Sequence, residues 1–235
     1  MKNISRRQFV GHAAAGLAAL SGASTVAEAQ LVYRHSDWKA PEFDRLLKSP
    51  AQARQVFDVS AIGGGKFLNN IKNSLNGLHF GFSIPAAQIQ VLAALHGPAN
   101  MLNFSDAVWK KYKIGEWAKV KDPATGQPAL RNPFNPSPAG RELHYASQNP
   151  NDENSAFQDA SIQGLQARGV KFLSCHTAME EQARALVKKL KLSAPPESVV
   201  EDMLDHALPG VLVVPSMVAS IALLQGQGRY TYITV

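Results

Sequence analysis

The chain has one cysteine among its 235 residues, Cys175, and a histidine follows it directly in Gly169-Val170-Lys171-Phe172-Leu173-Ser174-Cys175-His176. A thiolate is a nucleophile and a soft-metal ligand, and an imidazole beside it can take its proton or share a metal. This is therefore the segment whose residue types could do chemistry. A second histidine, His96, ends an apolar run in a His96-Gly97-Pro98 turn. Cys175, with His176 and His96 in support, forms the candidate site.

Position strengthens the case for Cys175. Val170 to Ser174 reads as a strand, and Met179, Ala183, Leu186, Val187 and Leu190 then recur at helical spacing, with Glu180, Glu181, Arg184, Lys188 and Lys189 on the other face. Thr177-Ala178-Met179-Glu180 fits a capping box, which predicts a helix starting at Thr177. Cys175 is then expected at the carboxyl end of a strand just before a helix N-terminus, where open α/β sheets bind ligands. That helix end favours a partly exposed thiolate, whereas Glu180 and Glu181 oppose it. On residues alone two readings stand: a reactive thiol, and a buried cysteine acting as a small hydrophobe. A metal reading joins Cys175, His176 and His96 around Cu(I) or Zn(II), but no C-x2-C or H-x3-H spacing supports it. His79, His144 and His206 read as surface or packing residues.

The elements that position these residues alternate. Strands are expected at 56–62, 89–95, 170–174, 211–214 and 230–235. Helices are expected at 67–78 with a stop at Gly77, 104–112 capped by Ser105, 156–168, 177–190, 197–206 and 216–224. Ile89 to Leu95 is apolar nearly throughout, which suits a parallel strand buried on both faces. The pattern predicts an α/β fold with an open, mostly parallel five-stranded sheet and helices on both faces. Gly63-Gly64-Gly65-Lys66 lacks both glycine-rich phosphate signatures and reads as a strand-to-helix turn. Residues 113–152 hold six of the fourteen prolines and read as an insertion, a lid or an interface arm.

The N-terminus reads as an address. Ser5-Arg6-Arg7-Gln8-Phe9-Val10, a weakly apolar run from Gly11 to Ala23 and Ala27-Glu28-Ala29 have the order of a twin-arginine signal with cleavage after Ala29. Residues 1–29 carry a net +2 of the formal +6, so the remaining chain is +4. So mild an excess, with no basic run interleaved with aromatics, gives no support to nucleic-acid binding. No further long apolar stretch follows, so no membrane association is expected after cleavage. A periplasmic location is expected, with residues 30–235 as one domain; 45% hydrophobic residues supply an ample core. One cysteine cannot form a disulfide within the chain.

Four pieces resemble the DsrE/DsrF-like group of the YchN-like fold. They are Phe67-Leu68-Asn69-Asn70-Ile71-Lys72-Asn73 after the first strand, Val91 to Gly97, Gly169 to Cys175, and Val213-Val214-Pro215-Ser216-Met217-Val218-Ala219 with Leu224 to Tyr230. The resemblance covers residues 56–112 and 155–235, leaving out the signal, the lead-in and the insertion. It implies a small mixed sheet, a trimeric or hexameric homo-oligomer, and a cysteine that carries sulfane sulfur as a persulfide between a donor and an acceptor. No cofactor is expected. The alternative function is a non-catalytic oligomeric module binding a metal or small ligand in the same cleft.

Overall fold

Runs such as Ile89-Gln90-Val91-Leu92-Ala93-Ala94-Leu95 are too apolar for a strand with one wet face, and the sheet they build is covered on both sides. The computed structural model describes residues 41–136 and 147–235. The export motif, the cleavage site, the lead-in to residue 40 and His144 lie outside the described residues.

Five strands, β1 (Ala53–Val59), β2 (Ile89–Leu95), β3 (Lys171–Cys175), β4 (Leu212–Val214) and β5 (Thr231–Thr234), pair in the order β4-β3-β2-β1-β5. Every pairing among them is parallel, so the sheet is not the mixed one that the family resemblance implies. The first four strands step across the sheet in one direction. β5 then returns to the far side of β1.

Side chains alternate along each strand and so sort into two layers. Phe57, Val59, Val91, Ala93, Leu95 and Phe172 pack with α2 (Lys66–Asn76), α5 (Ile162–Ala167) and α6 (His176–Leu190). Val56, Leu92, Ala94, Leu173, Cys175 and Val214 pack with α1 (Pro41–Leu47) and α8 (Met217–Gly226). The first layer also takes in α3 (Asp106–Lys111), α4 (Ile114–Trp117) and α7 (Pro196–Asp205).

Several boundaries differ from the sequence expectation. β1 begins at Ala53 and ends at Val59, because Ala53, Arg54 and Gln55 pair with Ile89, Gln90 and Val91 although they are not strongly apolar. Residues 60–62 turn instead of extending. The helix expected over 156–168 is confined to α5, since the Asp159 carboxylate and Ser161 capture local N–H groups and the Ser161 Oγ accepts from Gly164 N at 2.9 Å. Ser105 occupies the cap position of α3, but its side chain makes no capping bond.

The proline-rich segment is joined to the domain where it is described. Ile114 and Ala129 are buried in the larger core, and Phe134 packs against it. Asn132 Nδ2 donates to Leu102 O at 2.8 Å. Gly65 sits at φ +76°, and a β-carbon there would come within 2.5 Å of the Phe134 ring. The triple-glycine turn therefore accommodates both a left-handed backbone and an aromatic ring from the insertion.

Candidate functional site at the carboxyl edge of the sheet

β3 ends at Cys175, whose backbone is extended (φ −88°, ψ 116°), and α6 begins at the next residue. Cys175 is thus itself the N-cap residue of α6. The helix therefore starts one residue earlier than the expected capping box at Thr177, which lies within its first turn. The Thr177 hydroxyl donates to Pro215 O at 2.9 Å, and Thr177 N donates to the same oxygen at 3.2 Å. The threonine joins the first turn of α6 to the turn after β4.

The end of β3 is held by a buried asparagine. Asn100 is 0% exposed; its Oδ1 accepts from Cys175 N at 3.0 Å and from the Ser174 hydroxyl at 2.8 Å. Its Nδ2 donates to Gln182 Oε1 at 3.2 Å, and Gln182 Nε2 donates to Gly97 O. Asn103 Nδ2 donates to Leu173 O at 3.1 Å. Backbone groups at the end of β3, beyond the last residue of β2, are met here by amide side chains.

The Cys175 thiol lies on the α1/α8 side of the sheet. Its Sγ accepts the backbone N–H of Met217, the first residue of α8, at 3.3 Å. A helix N-terminus concentrates partial positive charge and unsatisfied N–H groups, a favourable setting for a sulfur anion. The side chain is only 5% exposed, so the partly exposed thiol expected from the sequence is instead buried. Val214, Met217 and Ala178 share its apolar cluster.

His176 turns along α6 instead. Its Nδ1 lies 3.3 Å from Glu180 Oε1, and Arg184 lies 3.5 Å from Glu180 Oε2. Glu180, read on the polar face of α6, is buried, and so is Gln182. His96 joins a third network. Its Nε2 is 2.7 Å from Asp58 Oδ1, and Tyr232 OH donates to Asp58 Oδ2 at 2.6 Å. Gly97 follows at φ +50°, where a β-carbon would stand 2.9 Å from Ser60 O.

The three candidate residues therefore occupy one edge of the sheet but bond into separate networks. Among the described residues, no group of three or more His, Cys, Asp or Glu is arranged to hold a metal ion. His79 Nδ1 contacts Ile84 O and His206 Nδ1 contacts Asp202 O, which are packing roles. Sequence reasoning missed Asp58, Tyr232, Asn100 and the Met217 amide. A carboxylate inside the apolar Val56-Phe57-Asp58-Val59 run was the available signal for the first. Compared with known proteins, the chain matches no family model, no curated protein and no solved structure.

Proposed function

We propose that this chain is an exported, DsrE-like sulfur carrier in which Cys175 accepts a sulfane sulfur as a persulfide and passes it to an acceptor. The observation that carries the reading is the Met217 N–H bonded to Cys175 Sγ at the N-terminus of α8. An amide donor at a helix start stabilises a thiolate and equally the terminal sulfur of a persulfide. With thiosulfate as donor, the Cys175 thiolate attacks the outer sulfur. A new S–S bond forms, the old one breaks, and sulfite leaves with its electron pair. No second thiol exists in the chain to resolve the product into an internal disulfide. Since the thiol is buried, loading requires the Pro215–Met217 turn to part from α6, and reclosure shields the persulfide from stray thiols.

The test is intact mass after incubation with thiosulfate or polysulfide. Gain of one sulfur atom, reversed by cyanide and absent in Cys175→Ser, is the expected result. No uptake by wild type overturns the reading. The burial of Cys175 specifically favours the reading of a cysteine that packs as a small hydrophobe, and that reading predicts no uptake together with very slow alkylation.

Export and assembly belong to the same proposal. Arg6-Arg7 and Ala27-Glu28-Ala29 support the twin-arginine route to the periplasm, and replacing both arginines by lysine is expected to retain the precursor in the cytoplasm. Unchanged periplasmic yield defeats that part. Exposed apolar residues on α8 and β5, with Val218 73% exposed and Leu223 and Tyr232 also exposed, support a homo-oligomer such as a trimer. Light scattering giving a monomer at micromolar concentration defeats the assembly part.

A further inference from the structure

Asp58 has both carboxylate oxygens engaged, one by the Tyr232 hydroxyl and one by His96 Nε2. A carboxylate can only accept, so in the neutral imidazole Nε2 carries the hydrogen and the lone pair is on Nδ1. Among the described residues nothing bonds His96 Nδ1. The hydrogen bond to Asp58 pushes the Tyr232 phenol above its ordinary value, which keeps it a donor.

Holding the sheet together does not account for this arrangement. The backbone ladders already join β1 to β2 at Asp58↔Ala94 and β1 to β5 at Asp58↔Thr234. Register, in contrast, sets the His96 and Cys175 backbones side by side. Leu95 pairs with Ser174, so His96 and Cys175 are each one residue beyond the last paired position of β2 and β3. The His96 backbone stays extended (φ −143°), and His96 N donates to Val59 O at 3.0 Å. Alternation from Leu92 and Ala94, which share the layer of Leu173 and Cys175, assigns His96 to that same face.

We infer that His96 is the base that takes the Cys175 thiol proton, with Asp58 and Tyr232 as positioning residues that select its reactive tautomer. The inference rests on the sulfur-carrier reading for its purpose. In the step, the Cys175 S–H bond breaks, the proton passes to His96 Nδ1, and the electron pair stays on sulfur. The imidazolium formed is paired with Asp58 and the thiolate with the Met217 N–H. Other charged groups near this edge are His176 and Glu180 at the start of α6, with Arg184 beyond them; α8 supplies none, and α1 turns Phe43 and Leu46 toward the cluster.

The experiment compares the folded full chain with His96→Asn, Asp58→Asn, Asp58→Glu, Tyr232→Phe and His176→Asn. Three readouts are the pH profile of Cys175 alkylation by iodoacetamide, nitrogen-15 spectra of the histidine rings, and sulfur loading from thiosulfate. Wild-type His96 is expected as the Nε2–H tautomer. Loading by His96→Asn is expected to slow on the order of a hundredfold, with its alkylation profile displaced to higher pH. Asp58→Asn should do the same in part, Asp58→Glu should restore most of the rate, and Tyr232→Phe should give a smaller displacement. If no protein takes up sulfur yet the alkylation profile follows His96, the carrier reading falls and the base assignment stands. If loading proceeds with a profile that His96→Asn leaves unmoved, or that only His176→Asn moves, the base assignment is overturned. The wild-type tautomer decides the matter even where a variant fails to fold: an Nδ1–H ring overturns it.

Discussion

The Met217 amide donates to the Cys175 sulfur at 3.3 Å across 42 residues of sequence, so two strand-to-helix turns close on each other around one thiol. Sulfur here is both a packing atom and an acceptor. Cys175→Ser replaces it with a smaller hydroxyl whose proton needs a partner in an apolar cluster. The expected cost is about 1–2 kcal/mol, read as a fall in the urea midpoint without a change in slope. A variant as stable as wild type would mean the thiol is solvated in solution.

Asn100 is expected to matter more for stability than Cys175. Asn100→Ala leaves the Cys175 N–H, the Ser174 hydroxyl and the Gln182 amide without their shared partner in a dry interior. About 3 kcal/mol should be lost, or roughly 6–12 °C in melting temperature for a domain of this size. A fall under a degree or two would show that water replaces the amide.

Gly97 is constrained twice, by φ +50° and by the Ser60 carbonyl 2.9 Å from where a β-carbon would stand. Gly97→Ala should cost about 2 kcal/mol and disturb the neighbouring His96 ring. Thermal unfolding beside the His96 ring spectrum checks both; an unmoved ring with full stability contradicts the expectation.

Alkaline pH should weaken the fold through Tyr230. Burial pushes its hydroxyl from 10.0 up to about 12, and the hydroxyl donates to Leu46 O at 3.0 Å. A group raised in the folded state stabilises it while protonated. The contribution is therefore complete below about pH 10 and is lost as pH climbs toward about 12. Urea midpoints should fall across that window, and Tyr230→Phe should show a shallower fall from a lower plateau. Identical alkaline limbs would remove Tyr230 as the cause.

The parallel α/β architecture was legible because nearly continuous apolar runs at 89–95 and 211–214 alternate with helical spacing, and that signal depends only on local pattern. Cys175 at a strand end beside a helix start was legible for the same reason. The Thr177–Pro215 bond was not, because it joins residues 38 apart in sequence. Asp58 and Tyr232 were invisible as a pair since their contact is set by where β5 enters the sheet, which no local spacing encodes. The burial of Glu180 escaped notice because helical periodicity reports one apolar stripe, whereas α6 is covered on more than that stripe.

The strand order has a further consequence, for the time course of folding. Neighbours from β1 to β4 can pair in sequence order, the widest step being Leu92 to Lys171, but the Asp58–Tyr232 contact spans 174 residues. Loop-closure entropy and high contact order put such a pairing late. A chain part-way through folding therefore has a formed central sheet, an uncovered edge at β1 and an Asp58 carboxylate not yet met by Tyr232. Native-like compactness and the Tyr232–Asp58 bond should emerge as separate kinetic phases.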